Sequence, residues 1–437
     1  MKTIIMSCLF LLGALPVLGE QAGALVEALR GRAVPLTDAA SLDPVLMRAG
    51  SRRLVLLGEA THGTSEFYRW RAALSRRLIE EKGFRFVAVE GDWAPMYRLN
   101  RYVKGLPGAE PDARAIMRSF ERWPQWMWAN EEMLEFVEWL RAWNQARPPT
   151  ERAGLYGVDV YGDETVLEKL LLKLRRVDAD LAEEVTALYA PFARFAGDGR
   201  AYAMHLARGG ASFAQGAENG LTLLQERLAT REDVDAQAQL NLMHSARVIM
   251  NAERHYRANV DPNLHGWNAR ADHFYLTAET LLEHYGETSQ GVVWAHNTHI
   301  GDARATRMSA DGSRNIGQAA REALGAENVF AVGFGTDRGT VLAGRSWGGA
   351  REIMEIPQGG PGTLESALRA LDMPQALLLL EDADDEPALR QVVGHRAIGV
   401  IYHPARDFPG NYVPTVLARR YDAFMYIAET KALQVIE

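Results

Sequence analysis

Glu59 and His62 stand three residues apart in Gly58-Glu59-Ala60-Thr61-His62-Gly63, directly after an apolar run that begins at Leu54. A carboxylate beside an imidazole orients the ring, and an imidazole titrates close to working pH, so the pair suits proton transfer to and from water. Three more apolar runs end in the same manner. Arg85–Val89 leads into Glu90-Gly91-Asp92, Leu155–Val158 into Asp159, and Gly291–Ala295 into His296-Asn297-Thr298-His299. Hydrolysis by an activated water needs a base, a group that orients the base, and a donor for the developing oxyanion. His62 fits the first task. Glu59 or Glu90 fits the second, and Arg71, His296 or His299 the third.

These side chains meet only if the elements beneath them converge. Short apolar runs of this kind read as strands buried on both faces, and a charged group directly after one lies at the carboxyl end, where open α/β sheets bind ligands. Between the first two strands, a helix over about Ser65 to Lys82 places Phe67, Trp70, Leu74 and Leu78 on one face. Arg71 falls about 40° from Phe67, inside that apolar stripe, whereas Arg69 and Arg76 fall on the wet side. A guanidinium aimed inward requires a carboxylate partner, Glu59 or Glu90. From Asp163 to about Tyr285 the pattern is helical almost throughout. Further strands are expected at Val329–Gly333, Thr340–Ala343, Ala376–Leu380, Ile398–Tyr402 and Ala423–Ile427, with a Gly/Pro loop at Pro357–Gly362 and a single helix plus connection over Glu20–Ser51. Strands alternating with helices imply right-handed crossovers. The expected fold class is therefore α/β: a mainly parallel, mixed central sheet flanked by helices, with an inserted helical cap at about 163–285. Trp123, Trp126, Trp128, Trp139 and Trp143 cluster between the second and third strands, as core or as the lining of an apolar cleft.

The chain has 437 residues, ordinary globular composition and a formal net charge of −8, with no long basic run, which argues against a nucleic-acid surface. Residues 1–19 have the layout of a secretory signal peptide: Lys2, the apolar run Ile4–Leu18, then Gly19. The expectation is export to the periplasm or medium as a domain over 20–437, with no membrane span after cleavage. Cys8 is the only cysteine, so the mature chain has no disulfide, cysteine nucleophile or thiolate metal site.

Two rival chemistries are visible. His296-x-x-His299 with His62 and two glutamates resembles a zinc donor set, but the histidines follow a strand and no His-Glu-x-x-His occurs. Gly344-Arg345-Ser346-Trp347-Gly348 matches G-x-S-x-G, yet it reads as a turn between strands rather than a strand-to-helix elbow.

The segments GEATHGTSEFY (Gly58–Tyr68), VAVEGDW (Val87–Trp93), YGVDVYG (Tyr156–Gly162), WNARADHF (Trp267–Phe274) and VVWAHNTHIGDA (Val292–Ala303) resemble the erythromycin esterase family over about residues 40–432. The resemblance implies a capped α/β fold that opens macrolactone esters without metal or other cofactor, acting on a small-molecule ester or macrolactone. His62 would be the base, completed by Glu59, Arg71, Glu90, His296 and His299. Asp92 and Asp159, with Asn268 and Arg270 from the cap side, would contact substrate. One departure stands out: Ala271 follows Arg270 where the family pattern has Asp, and Asp272 comes one place later, about 100° around the helix. A metal-dependent hydrolase, or an exported haem- or metal-binding protein of related fold without turnover, is the alternative reading.

Overall fold

The computed structural model describes residues 14–437. The signal-peptide expectation, and with it Cys8, rests largely on residues 1–13, outside the described residues. The strands, in chain order, are β1 (Ala33–Pro35), β2 (Leu54–Leu57), β3 (Phe86–Asp92), β4 (Gly154–Asp159), β5 (Gly291–Trp294), β6 (Val329–Gly344), β7 (Arg351–Ile356), β8 (Gln375–Leu379), β9 (Val392–Arg396), β10 (Tyr412–Val416) and β11 (Ala423–Thr430). Nine form one sheet in the order β1-β8-β11-β6-β2-β5-β3-β4, with β7 paired to β6; β9 and β10 form a separate ribbon. From β11 through β4 every neighbour is parallel, while β8, β1 and β7 pair antiparallel. This is the mixed, mainly parallel α/β sheet expected from the sequence.

All residues of β2, β3, β4 and β5 are buried, because helices cover both faces. The strand period divides them. Leu54, Leu56, Phe86, Ala88 and Tyr156 pack toward the inserted helices. Val55, Leu57, Val87, Val89 and Trp294 pack toward the helices Ser65–Lys82 and Glu131–Gln145. The helix Ser65–Lys82 has the expected bounds, and its C-terminus is closed by Gly83 at φ 76°, a left-handed position that favours glycine.

Residues 163–285 contain only helices and their connections: Asp163–Val177, Ala179–Ala193, Gly199–Ala207, Ala214–Leu228, Ala236–Ala258 and Gly266–Tyr285. They enter the chain between β4 and β5, two strands whose carboxyl ends face the same edge.

Several expectations are corrected. Val329–Gly333 and Thr340–Ala343 are parts of one sixteen-residue strand. Ile398–Tyr402 is not a strand; Ile398 and Ile401 make isolated bridges to Thr61 and Gly344. Glu20–Ser51 holds more than a single helix, since β1 and the helix Asp43–Ala49 follow the helix Ala14–Arg32. Among the described residues no helix is long and apolar enough to cross a membrane.

Candidate active site

In the sheet order, β2, β5, β3 and β4 are consecutive and parallel, so their carboxyl ends form one continuous edge. Glu59 and His62 follow β2, and His296 and His299 follow β5. Glu90 and Asp92 close β3, and Asp159 closes β4. Backbone contacts lock the edge together. The amide of Asn297 donates to Glu59 O at 2.9 Å, and the amide of His296 donates to Glu90 Oε2 at 2.8 Å. At Gly58 a Cβ would overlap the side-chain oxygen of Asn297, so the crossing of these two loops requires glycine. In β3 the register slips by one residue between Val89 and Asp92, a bulge that re-aims Glu90 and Asp92 at the cleft.

His62 Nδ1 lies 2.8 Å from Glu59 Oε1, and the other carboxylate oxygen lies 2.7 Å from Arg71 Nη2. Arg71 is fully buried, as its position in the apolar stripe requires, and its guanidinium lies 4.3 Å from the Tyr68 ring centroid and 5.0 Å from that of Trp294. Its contact with Glu59 is close but poorly directed for a hydrogen bond, so charge attraction dominates. With Nδ1 committed to Glu59, the free ring nitrogen of His62 is Nε2. Burial alone would depress this imidazole; the Glu59 hydrogen bond and the charges of Glu90 and Glu59 outweigh it, and the net direction is upward from 6.5.

The second half of the site is organised by Arg270. Its Nε and Nη2 grip both oxygens of Asp159 at 2.9 and 2.7 Å, Nη2 also donates to Glu90 Oε1 at 2.9 Å, and Nη1 lies 3.1 Å from His299 Nε2. Burial would raise the Glu90 carboxyl, but His299, His62 and Arg270 hold it well below the usual carboxylate range. Burial likewise opposes Arg270, which nonetheless holds Asp159 low. The His299 ring stacks on Trp267 at 4.5 Å. His296 lies 4.9 Å from the His62 ring. Its Nδ1 lies 2.8 Å from Thr298 Oγ1 and 3.3 Å from the Thr298 amide, and its Nε2 has no hydrogen-bond partner among the described residues. Burial, and then the neighbouring His62, depress His296 well below 6.5.

Above this edge lies a cleft of about 690 Å³, within the usual range for small-molecule sites. His62, Glu90, Asp92, Asp159 and Arg270 line it. Glu59, Arg71, His296 and His299 do not reach its wall. Arg71 therefore positions Glu59 and is not the donor that meets an oxyanion. Asn268 is also corrected: its side chain donates to Gly312 O and accepts from the Arg314 amide, tethering a loop away from the cleft. Ala271 is buried, and Asp272 pairs with Arg254 and Arg314 on the outer side of its helix. Ser346 is exposed in the turn between β6 and β7. Among the described residues no three His, Cys, Asp or Glu side chains converge to hold a metal ion.

The profile described as erythromycin esterase matches residues 79–430. The chain belongs to the erythromycin esterase family. An Escherichia coli relative, erythromycin esterase type II, is 29% identical over 117 residues, 27% of this chain and 26% of that protein, so the match spans about a quarter of the relative's length. The fold recurs in a succinoglycan biosynthesis protein (TM-score 0.78, 21% identity, 95% of this chain and 99% of that one). It recurs in a Bacillus cereus protein (0.79, 20%, 95% and 99%). It is also shared by a histidine-to-asparagine variant of erythromycin esterase EreC in its open conformation (0.64, 16%, 95% and 98%). The family match takes in Glu90, Asp159, Arg270, His296 and His299; Glu59, His62 and Arg71 precede it and stand on geometry.

This erythromycin esterase family chain also carries a site residue that no sequence signal singled out. Arg122 grips Asp92 with two 2.5 Å hydrogen bonds and lies 4.9 Å from the Tyr161 ring. Trp347 packs 4.8 Å from Trp123 at the cleft rim. Of the clustered tryptophans, Trp128 lines the cleft and donates to Glu90 O, while Trp126 is core and Trp139 and Trp143 pack against the core.

Proposed function

We propose that the protein hydrolyses an ester or lactone bond in a bulky small molecule, using a water activated by His62. One observation carries this reading: the chain Arg71–Glu59–His62 commits Nδ1 and leaves a basic Nε2 on the wall of the cleft. Water would give a proton to Nε2 as its oxygen attacks the ester carbonyl. The imidazolium would then return that proton to the alkoxide as the carbon–oxygen bond breaks, yielding acid and alcohol. Glu59 stabilises the transient charge and holds the tautomer, and general base catalysis of this kind contributes about 10²–10⁴ in rate. Arg270 and Arg122 place positive charge at the wall where the oxyanion develops, a contribution of about 3 kcal/mol for a well-aimed contact.

Family membership supports a macrolactone of the erythromycin type as the first substrate to test, with no metal or other cofactor. The same reading takes residues 1–19 as a cleaved leader and places the enzyme in the periplasm or medium, which N-terminal sequencing of the exported product checks. The decisive experiment is mass spectrometry of erythromycin-class compounds incubated with the purified chain. A gain of one water that disappears in His62→Ala supports the reading. Wild-type turnover by folded His62→Ala and His296→Ala variants overturns it.

A further inference from the structure

Beyond Asp159 the cleft is walled by the helices Trp93–Lys104 and Asp163–Val177, and this part of the wall carries Arg98, Arg101, Lys169, Lys173 and Arg176. Lys169, Lys173 and Arg176 recur at helical spacing, so they share one face. Three carboxylates stand near them. Glu110 is gripped by Arg98 through two 2.7 Å bonds, Glu168 lies an exposed 3.5 Å from Lys169, and Glu121 lies on the cleft wall. Arg101 donates only to the Pro107 carbonyl, and Lys173 and Arg176 have no carboxylate within 4.0 Å among the described residues. In a chain of net charge −8, this limb of the cleft therefore runs against the charge of the whole. Five cations against these three carboxylates leave the limb net positive, and an excess of one sign on a cleft wall focuses its field on the ligand within it.

We propose that the ester substrate carries an oxyanionic group, carboxylate or phosphate, at the end remote from the reacting carbonyl, seated against Arg101, Lys173 and Arg176. The inference rests on the ester-hydrolase reading above and departs from its macrolactone arm, whose erythromycin-type substrate carries no such anion. The helix rises about 1.5 Å per residue from Asp163, so Lys173 and Arg176 stand about 15–20 Å along it. The anion must therefore be far from the scissile bond, and a short acidic acyl group gains nothing.

The test compares 4-nitrophenyl esters of straight-chain acids of graded length that end in methyl, carboxylate or phosphate. The expected result is a kcat/KM at least about tenfold higher for the long anionic esters than for neutral ones of equal length, absent for short chains and suppressed in about 0.5 M NaCl. An excess for either anion supports the proposal, and the larger one names the group. The ratio falls to about one in the K173E/R176E variant and persists in R175E, on the same helix but outside the cleft wall. A ratio near one at every length overturns the proposal. If no ester is cleaved, the hydrolase reading fails separately. Calorimetric titration with a long unreactive dicarboxylate and its bisphosphate counterpart then decides: binding lost in K173E/R176E supports the anion seat, and no binding refutes it.

Discussion

Glu59 presents one oxygen to His62 Nδ1 at 2.8 Å, and the pair is fixed by the loop between β2 and the helix Ser65–Lys82. The second oxygen is held by Arg71, one of the largest fully buried side chains in the chain. The geometry makes Glu59 both an electrostatic partner and a mechanical stop for the ring.

His62→Ala is expected to lower kcat by about 10²–10⁴ while leaving the far-ultraviolet circular dichroism unchanged, because the ring is at the cleft wall and not in the core. Added imidazole should restore part of the rate. Glu59→Gln should lower kcat comparably with little change in KM, since it disturbs the tautomer rather than substrate contact.

The proposed mechanism requires neutral His62, whose pKa is raised. The acid limb of kcat/KM should therefore lie above pH 6.5, with activity lost as pH falls through it. In Glu59→Gln the limb should move to lower pH. Stability follows linkage with opposite signs for the two partners. The His62 contribution is complete below its ordinary 6.5 and lost as pH rises through the raised value. The Glu90 contribution is present above 4.5 and lost as pH falls through its lowered value. Rate profiles and urea midpoints across pH test both.

Arg71→Met should destabilise the fold by about 3–5 kcal/mol, because it leaves the fully buried Glu59 carboxylate without its counter-charge. Arg76→Met, half-buried on the same helix, should cost less than about 1 kcal/mol. Urea denaturation of the two variants gives the comparison.

Ser346→Ala and exhaustive chelation should each leave turnover of a confirmed ester at the wild-type rate. Arg270 already fills the space between Glu90, Asp159 and His299 with a guanidinium, and a dication there would meet its positive charge at short range. Loss of activity on chelation, restored by zinc, would instead require a metal at the site.

The edge that carries the candidate site was legible because each strand is an unbroken apolar run that stops at a charged residue, and parallel topology then sends those ends the same way. Arg71 was legible from helical phase, since an arginine at a core position has few ways to be satisfied. Arg122 was not, because it lies in an irregular segment where no period ties it to Asp92. Asn268 was misassigned for a related reason: a helix start shows which residues are polar, but the turn that brings Gly312 and Arg314 beside it is set by distant packing. Ile398–Tyr402 has the composition of a strand, yet composition does not say whether a neighbour offers a full ladder or a single bridge.

The helices of residues 163–285 enter the chain after β4 and leave it before β5, the two strands that flank β3, and the last of them reaches down through Arg270 to Glu90 and Asp159. The wall of the cleft is thus drawn from both stretches, residues 94–128 of the body and residues 165–176 of the first inserted helix. A change in the first inserted helix therefore reshapes one side of the cleft without touching Glu59 or His62, whereas the sixth is tied through Arg270 to the β3 and β4 termini and cannot shift alone.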